Sequence, residues 1–329
     1  MTFLYPYRLA VALIVAAPIL SGCSYRASIP NPGTPQAAAP RQLSLANVAR
    51  DGLYVDLHTS PSRAEILGYR SKSGRPRPYC KVNGIGFADR VSVDAAGNLM
   101  VPDSFAGSIT VFRGPRMCGR KLGSFQDRYG QPLDAASIDA ATGRIAIANI
   151  FGNSGNGSIS VCTIAHGCRR NLTNSNMVQV AGVAMANNGD CWASAVNSSF
   201  VSTLTFFKHC GGTGQLSSGY RNKAYGGLEI DTQGNILSIS WSAYGSELYV
   251  YQGCHPRCKL IGGPFKLKLQ TMTGHLSENG TTFATAVYQH ARIDIYKYTP
   301  TNLTYQYSFT DGLSGGTTAG VAFTPRSKE

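Results

Sequence analysis

The sequence predicts an all-β fold, a six-bladed β-propeller closed by its C-terminal strand. Three observations predict it. A turn phrase returns with its glycine at 97, 143, 189, 234 and 280, at spacings of 46, 46, 45 and 46 residues. Runs of β-branched and aromatic residues recur between the turns. Both ends of the repeated region carry an incomplete copy that the other end can complete. A constant period of this length is the mark of four-stranded units repeated around a ring.

Taken in order, the chain divides into residues 1–22, 23–45 and 46–329. Arg8 precedes a short apolar run, Leu9 to Ile19, the size of a signal-peptide core and too short to span a bilayer. Leu20-Ser21-Gly22-Cys23 follows and resembles the lipobox of bacterial lipoproteins. The resemblance implies that residues 1–22 are a cleaved signal peptide. It also implies that Cys23 is lipidated and that the exported chain is anchored to the cell-envelope membrane. Ser24 in place of Asp favours the outer membrane if the cell is Gram-negative. Residues 23–45 hold the lipidated cysteine and a flexible tether, with Pro30, Pro32, Pro35, Pro40 and three successive alanines but no apolar period.

From residue 46 the repeat begins. Its phrase is an apolar residue, an Asp-like residue, two small residues and Gly, then an alternating strand. It reads Val93-Asp94-Ala95-Ala96-Gly97 and returns from Ile138, Met185, Ile230 and Leu276, with a weaker first copy at Asp51-Gly52-Leu53. Six copies give six blades. Ser108–Phe112, Ser158–Val161, Thr203–Phe207 and Leu248–Tyr251 read as the third strands of their blades. The first copy has no good inner strand before it, and Gly320 to Pro325 matches that strand with no blade after it. Pairing the two would close the ring and remove its open edges.

Two resemblances rest on these phrases. Val93-Asp94-Ala95-Ala96-Gly97-Asn98-Leu99-Met100-Val101-Pro102-Asp103 resembles an NHL repeat, and the run from Ala181 to Trp192 is similar to the shared phrase of SMP-30/gluconolactonase-like propellers. The likeness implies the propeller and, for the second family, a metal that polarises a lactone. The acidic ligand which that family carries before an inner strand is missing here, since the matching positions read Val180-Ala181-Gly182 and Tyr225-Gly226-Gly227.

The formal charge of +13 favours acidic partners, but the basic residues are scattered, and no nucleic-acid motif accompanies them. No specific nucleic-acid binding is therefore expected, and a monomer is. Eight cysteines remain after Cys23, an even number that in an oxidising compartment implies up to four disulfides. Cys162–Cys168 and Cys254–Cys258 read as local staples and Cys191–Cys210 as a neighbouring pair. Cys80–Cys118 follows by elimination. The Cys254 to Cys258 stretch also invites a zinc reading, but no second Cys/His pair stands at finger spacing.

Aligning the copies places Phe105, Phe151, Phe200, Trp241, Tyr244 and Tyr288, with His58 in the first blade, around one mouth of the channel. Aromatic rings there suit capture of a protein, peptide or glycan; the alternative is that they wedge between blades as core. Asp89, Asp103, Asp134 and Asn149 lie near the same mouth in this alignment and offer oxygen ligands for calcium. No other cofactor is indicated. The Asp94, Asp139 and Asp231 series falls in the turns at the opposite end and reads as structural. No nucleophile–base pair is legible, so no catalytic residue is named. The expected function is a membrane-anchored, non-enzymatic recognition module. An SMP-30-like metal-dependent lactonase and a structural envelope protein are the alternatives.

Overall fold

A computed structural model describes residues 52–324, apart from 61, 70–77, 89, 95, 115–118, 138–142, 224–225, 243–244 and 289. The signal, Cys23 and the tether lie outside the described residues, as do Asp89, Cys118, Asp139 and Tyr244.

The described strands form six antiparallel sheets of four strands each. The first blade contains β1 (Leu53–Ser60), β2 (Arg63–Tyr69) and β3 (Pro78–Ile85). Its inner strand is the last of the chain, β24 (Thr317–Phe323). Leu53 pairs with Phe323, Val55 with Val321 and Asp56 with Gly320. The ring is therefore closed by the C-terminal strand, as the orphan ends predict. The other five blades run in sequence order from inner to outer strand. Their inner strands are β4 (Ser92–Val93), β8 (Gly130–Ser137), β12 (Gln179–Met185), β16 (Leu228–Ile230) and β20 (Thr271–Leu276). The expected third strands are β6 (Ser108–Phe112), β10 (Ser158–Thr163), β14 (Ser202–Phe207) and β18 (Gly245–Gln252). Among the described residues the one helical element is a three-residue 3-10 turn at Lys208–Cys210.

Alternation along each strand builds the core. Leu53, Val55 and Leu57 join a cluster with Ile293, Ile295 and Phe323 of the sixth and first blades. Tyr54, on the other face of β1, joins Ala88, Val91, Leu99 and Val101 on the side of the second blade. The remaining clusters bridge neighbouring blades in the same way, so apolar burial holds blade to blade around the ring. Small residues let the inner strands approach: a Cβ on Gly182 would lie 2.9 Å from the Gly226 carbonyl oxygen.

The repeating turn follows from its chemistry. Asp94 accepts the backbone N–H groups of Ala96 and Asn98 at 2.9 and 2.8 Å, and Asp231 accepts those of Gln233 and Asn235 at 2.9 Å each. Gly97 and Gly234 then take φ of 81° and 82°, the left-handed region that glycine enters without strain. Asp231 also accepts the Tyr298 hydroxyl at 3.0 Å, tying the fifth blade to the sixth.

Cys162–Cys168, Cys191–Cys210 and Cys254–Cys258 are disulfides with Cα separations of 3.9, 5.2 and 3.9 Å. The zinc alternative at Cys254 and Cys258 is thereby excluded. Cys80 is also disulfide-bonded. Several disulfides in one chain point to an oxidising, exported setting. Among the described residues no helix is long and apolar enough to cross a membrane.

Candidate functional site

Because the strands of a blade are antiparallel, its turns alternate between the two ends of the ring. The Asp-Gly turns lie at one end. At the other lie the loops between second and third strands, which carry the aromatic residues singled out in the sequence.

Two of those loops present bare apolar surface. Phe105 is 70% exposed and Phe200 69%, with Val201 beside it at 57%. Asn197 builds the second loop. Its carbonyl accepts the Phe200 N–H at 2.9 Å, and its side chain accepts those of Ser199 and Val201 at 3.0 Å each. This tight turn holds Phe200 at φ 58°, a left-handed conformation that costs a non-glycine residue about 1–2 kcal/mol. An exposed phenyl ring held at that cost makes this loop a candidate site. Asp103 pins the first loop by accepting N–H groups from Gly86, Phe87 and Ala106 at 2.9, 3.3 and 2.9 Å.

The other rings are drawn in further. His58, Phe87 and Phe105 form a ladder with centroid spacings of 4.7 and 4.9 Å. Trp241 meets Tyr288 edge-on at 6.4 Å. Both of these rings and Phe151 are half-buried. No ring contact among the described residues joins Phe151 or Phe200 to the rest. The rings thus form two groups and two single positions. Phe87, on the link into the second blade, was not legible in the alignment because it falls outside the turn phrase.

The oxygen ligands proposed for calcium have different neighbours. Asp103 is occupied by the loop amides just described. Asn149 is buried and donates to the hydroxyls of Ser158 and Ser160 at 3.3 and 2.8 Å. Asp134 faces the channel, where it accepts the Val183 N–H at 3.1 Å. Asp89 lies outside the described residues. Among those that are described, no three His, Cys, Asp or Glu side chains are grouped to hold a metal. At Gly226, where the SMP-30-like phrase would need an acid, any Cβ would lie 2.5 Å from the Ile239 carbonyl oxygen.

The channel holds what the sequence reading missed. A cavity of about 130 Å³ is bounded by all six inner strands or the residues leading into them, and Arg90, Asp134, Glu229 and His275 line it. Arg90 Nη1 lies 3.9 Å from Asp134 Oδ2, and His275 Nε2 lies 3.7 Å from Glu229 Oε1. Burial pushes the Asp134 carboxyl up to about 6, with Arg90 opposing. Burial, then the neighbouring Asp134, holds Glu229 well above the usual carboxylate range. Burial lowers the His275 imidazole to about 4. A signal for this pair did exist. Glu229 and His275 each stand two residues before their turn residue, Asp231 and Ser277, where other copies carry Ser92, Ala184 and Ala322.

No protein-family model and no curated protein matches this sequence. Its fold does match solved structures. A chain of a nidogen/laminin complex aligns with a TM-score of 0.60 at 11% identity, covering 83% of this chain and 98% of that one. A candidate 6-phosphogluconolactonase from Bacteroides fragilis aligns with a TM-score of 0.57 at 9% identity, over 84% and 98%. The WD40 repeats of RRP9 align with a TM-score of 0.52 at 11% identity, over 78% and 83%. At these identities the likeness establishes the propeller fold and leaves its activity open.

Proposed function

We propose that this protein is an exported, lipid-anchored recognition module. Its loop face binds an envelope or extracellular protein, peptide or glycan, and it does no catalysis. The observation that carries this reading is the pair of exposed phenyl rings, Phe105 and Phe200, on loops fixed by Asp103 and Asn197. Rigid, exposed aromatics lose little entropy on contact and are frequent binding anchors. The lipid on Cys23 and the Pro-rich tether would hold this face near envelope partners. That a propeller of like fold comes from a nidogen/laminin complex supports a protein partner. The collision awaiting any side chain at Gly226 weighs against the lactonase alternative.

The test is binding of the intact lipoprotein to its envelope partners, compared with Phe105→Ser/Phe200→Ser. The double variant is expected to lose about 2 kcal/mol or more of binding free energy, with its melting temperature unchanged. Full retention of binding would overturn the proposal. So would lactone hydrolysis abolished by a chelator or by Asp103→Ala.

A further inference from the structure

The channel pair Glu229 and His275 has a geometry that the loop face does not explain. His275 Nδ1 lies 2.8 Å from the Leu276 carbonyl oxygen. A carbonyl only accepts, so Nδ1 carries the proton, and Nε2 turns a lone pair toward the channel. The Phe323 backbone N–H also points at Nδ1 as a donor, at the longer distance of 3.3 Å; the shorter carbonyl contact decides the tautomer. Nε2 and Glu229 Oε1 then face each other at 3.7 Å, beyond hydrogen-bonding distance. Their side chains are 18% and 25% exposed, and both line the cavity. Two acceptors on adjacent inner strands, facing the cavity and set apart, are arranged for a donor placed between them.

The rest of the lining narrows what that donor is. Ser92 and Thr273 spend their hydroxyl protons on the carbonyls of Ala135 and Ala319. The fourth and first blades contribute only Val183, Ala184, Met185 and Val321. Arg90, with its guanidinium beside Asp134, is the one permanent cation among the described lining residues, against two carboxyl groups. An anion would meet both carboxyl groups. A divalent metal would have to compete with Arg90 for Asp134, and no metal-holding group of three is present among the described residues. An ammonium group carries three donors and no acceptor, which complements a carboxylate and an imidazole lone pair. Some 10–15 Å³ holds one water, so this cavity admits an ammonium head with a short alkyl chain.

We infer that the central channel is a binding site for a primary ammonium group, held between Glu229 and His275 Nε2 with Asp134 behind them. The site is separate from the aromatic loop face and stands or falls without it. Binding requires Glu229 to be ionised, and burial favours its protonated form. The cation therefore displaces a proton from Glu229, and its affinity rises with pH. Among the described residues the other titratable groups facing the site are Arg90, Asp134 and His275. Burial raises Asp134 too, and its ionisation works in the same direction.

The experiment is titration calorimetry with n-butylammonium chloride at several pH values, on the wild-type chain and on Glu229→Gln. n-Butanol, calcium chloride and zinc chloride are the controls, and acetyl-lysine amide is a second ligand. Butylammonium is expected to bind roughly tenfold or more tightly than butanol. It should release a proton into buffers of different ionisation enthalpy, and it should weaken as pH falls. Glu229→Gln is expected to lose roughly tenfold or more in affinity while melting no lower than wild type. Tighter binding of acetyl-lysine amide would assign the cation to a partner's lysine, and tighter binding of butylammonium to a free amine. Equal binding of butanol, an absence of binding up to about 10 mM, or affinity independent of pH and of Glu229 would overturn the inference. Stoichiometric calcium or zinc binding lost in Glu229→Gln would overturn it too. The pH series uses the wild-type chain, so it holds even if the variant does not fold.

Discussion

Removing residues 317–329 is expected to abolish cooperative folding. The lost strand carries Val321, Ala322 and Phe323, all buried, and pairs with β1 from Leu53 to His58. Val321 and Phe323 pack into the cluster that joins the sixth blade to the first. Thr318 reaches the carbonyls of Val287 and Arg292 in the sixth blade, each at 2.9 Å. Burial of each large apolar side chain contributes about 1.5–3 kcal/mol, and an opened ring also exposes two strand edges. Set against a typical total stability of about 5–15 kcal/mol, the loss leaves no margin. The single change Phe323→Ala should cost about 3–5 kcal/mol through the cavity it leaves, read as a shift in urea midpoint at constant slope. A truncated chain that still melts cooperatively within a few degrees of the intact one would show that the closure is dispensable.

The channel is expected to shape the pH profile of stability through two opposing groups. His275 titrates at about 4 in the fold against 6.5 in an unfolded chain. A base whose folded value is depressed contributes stability that is present above 6.5 and lost as pH falls toward 4. At 1.36 kcal/mol per unit, that loss is about 3 kcal/mol. Asp134 moves the other way. Its folded value of about 6 lies above the unfolded 3.8, so its contribution is fully present below 3.8 and is lost as pH rises through 6. That change is also about 3 kcal/mol. Glu229 acts in the same direction as Asp134. His275→Gln should therefore gain about 3 kcal/mol relative to wild type between pH 7 and pH 4. Asp134→Asn should lose a comparable amount over the same range. Denaturant unfolding at each pH reads both. Parallel profiles for the three proteins would show that these groups do not titrate as their burial requires.

The fold was legible because a propeller writes its period into the chain. The turn glycines and the acceptor at Asp94 or Asp231 are chemical requirements of one short turn, and six turns in register leave little freedom of interpretation. Closure was legible from Gly320 onward because an inner strand without a blade must pair elsewhere. Three disulfides were legible for the same local reason, since each joins cysteines within one blade.

The site was legible only in part. Phe105 and Phe200 fall on loops between second and third strands, where the alignment put them, but exposure is set by loop conformation. Phe200 stands out because Asn197 clamps its turn, whereas Trp241 and Tyr288 settle against each other. The oxygen ligands at Asp103 and Asn149 looked available in the sequence, yet loop amides and neighbouring hydroxyls engage them. Glu229 and His275 are 46 residues apart in the chain and meet only when the fifth and sixth blades pack side by side. Apart from their shared position before the turn, neither stands in a motif that names its partner.

The most direct test of the recognition face is site-specific photo-crosslinking in living cells. A photoactivatable side chain is placed in turn at Phe105, at Phe200 and, on the opposite turn face, at Gln233. Discrete adducts with an envelope component are predicted from Phe105 and Phe200, and none from Gln233. Adducts from Gln233 alone, or equally from all three positions, would contradict a recognition surface on the aromatic loops.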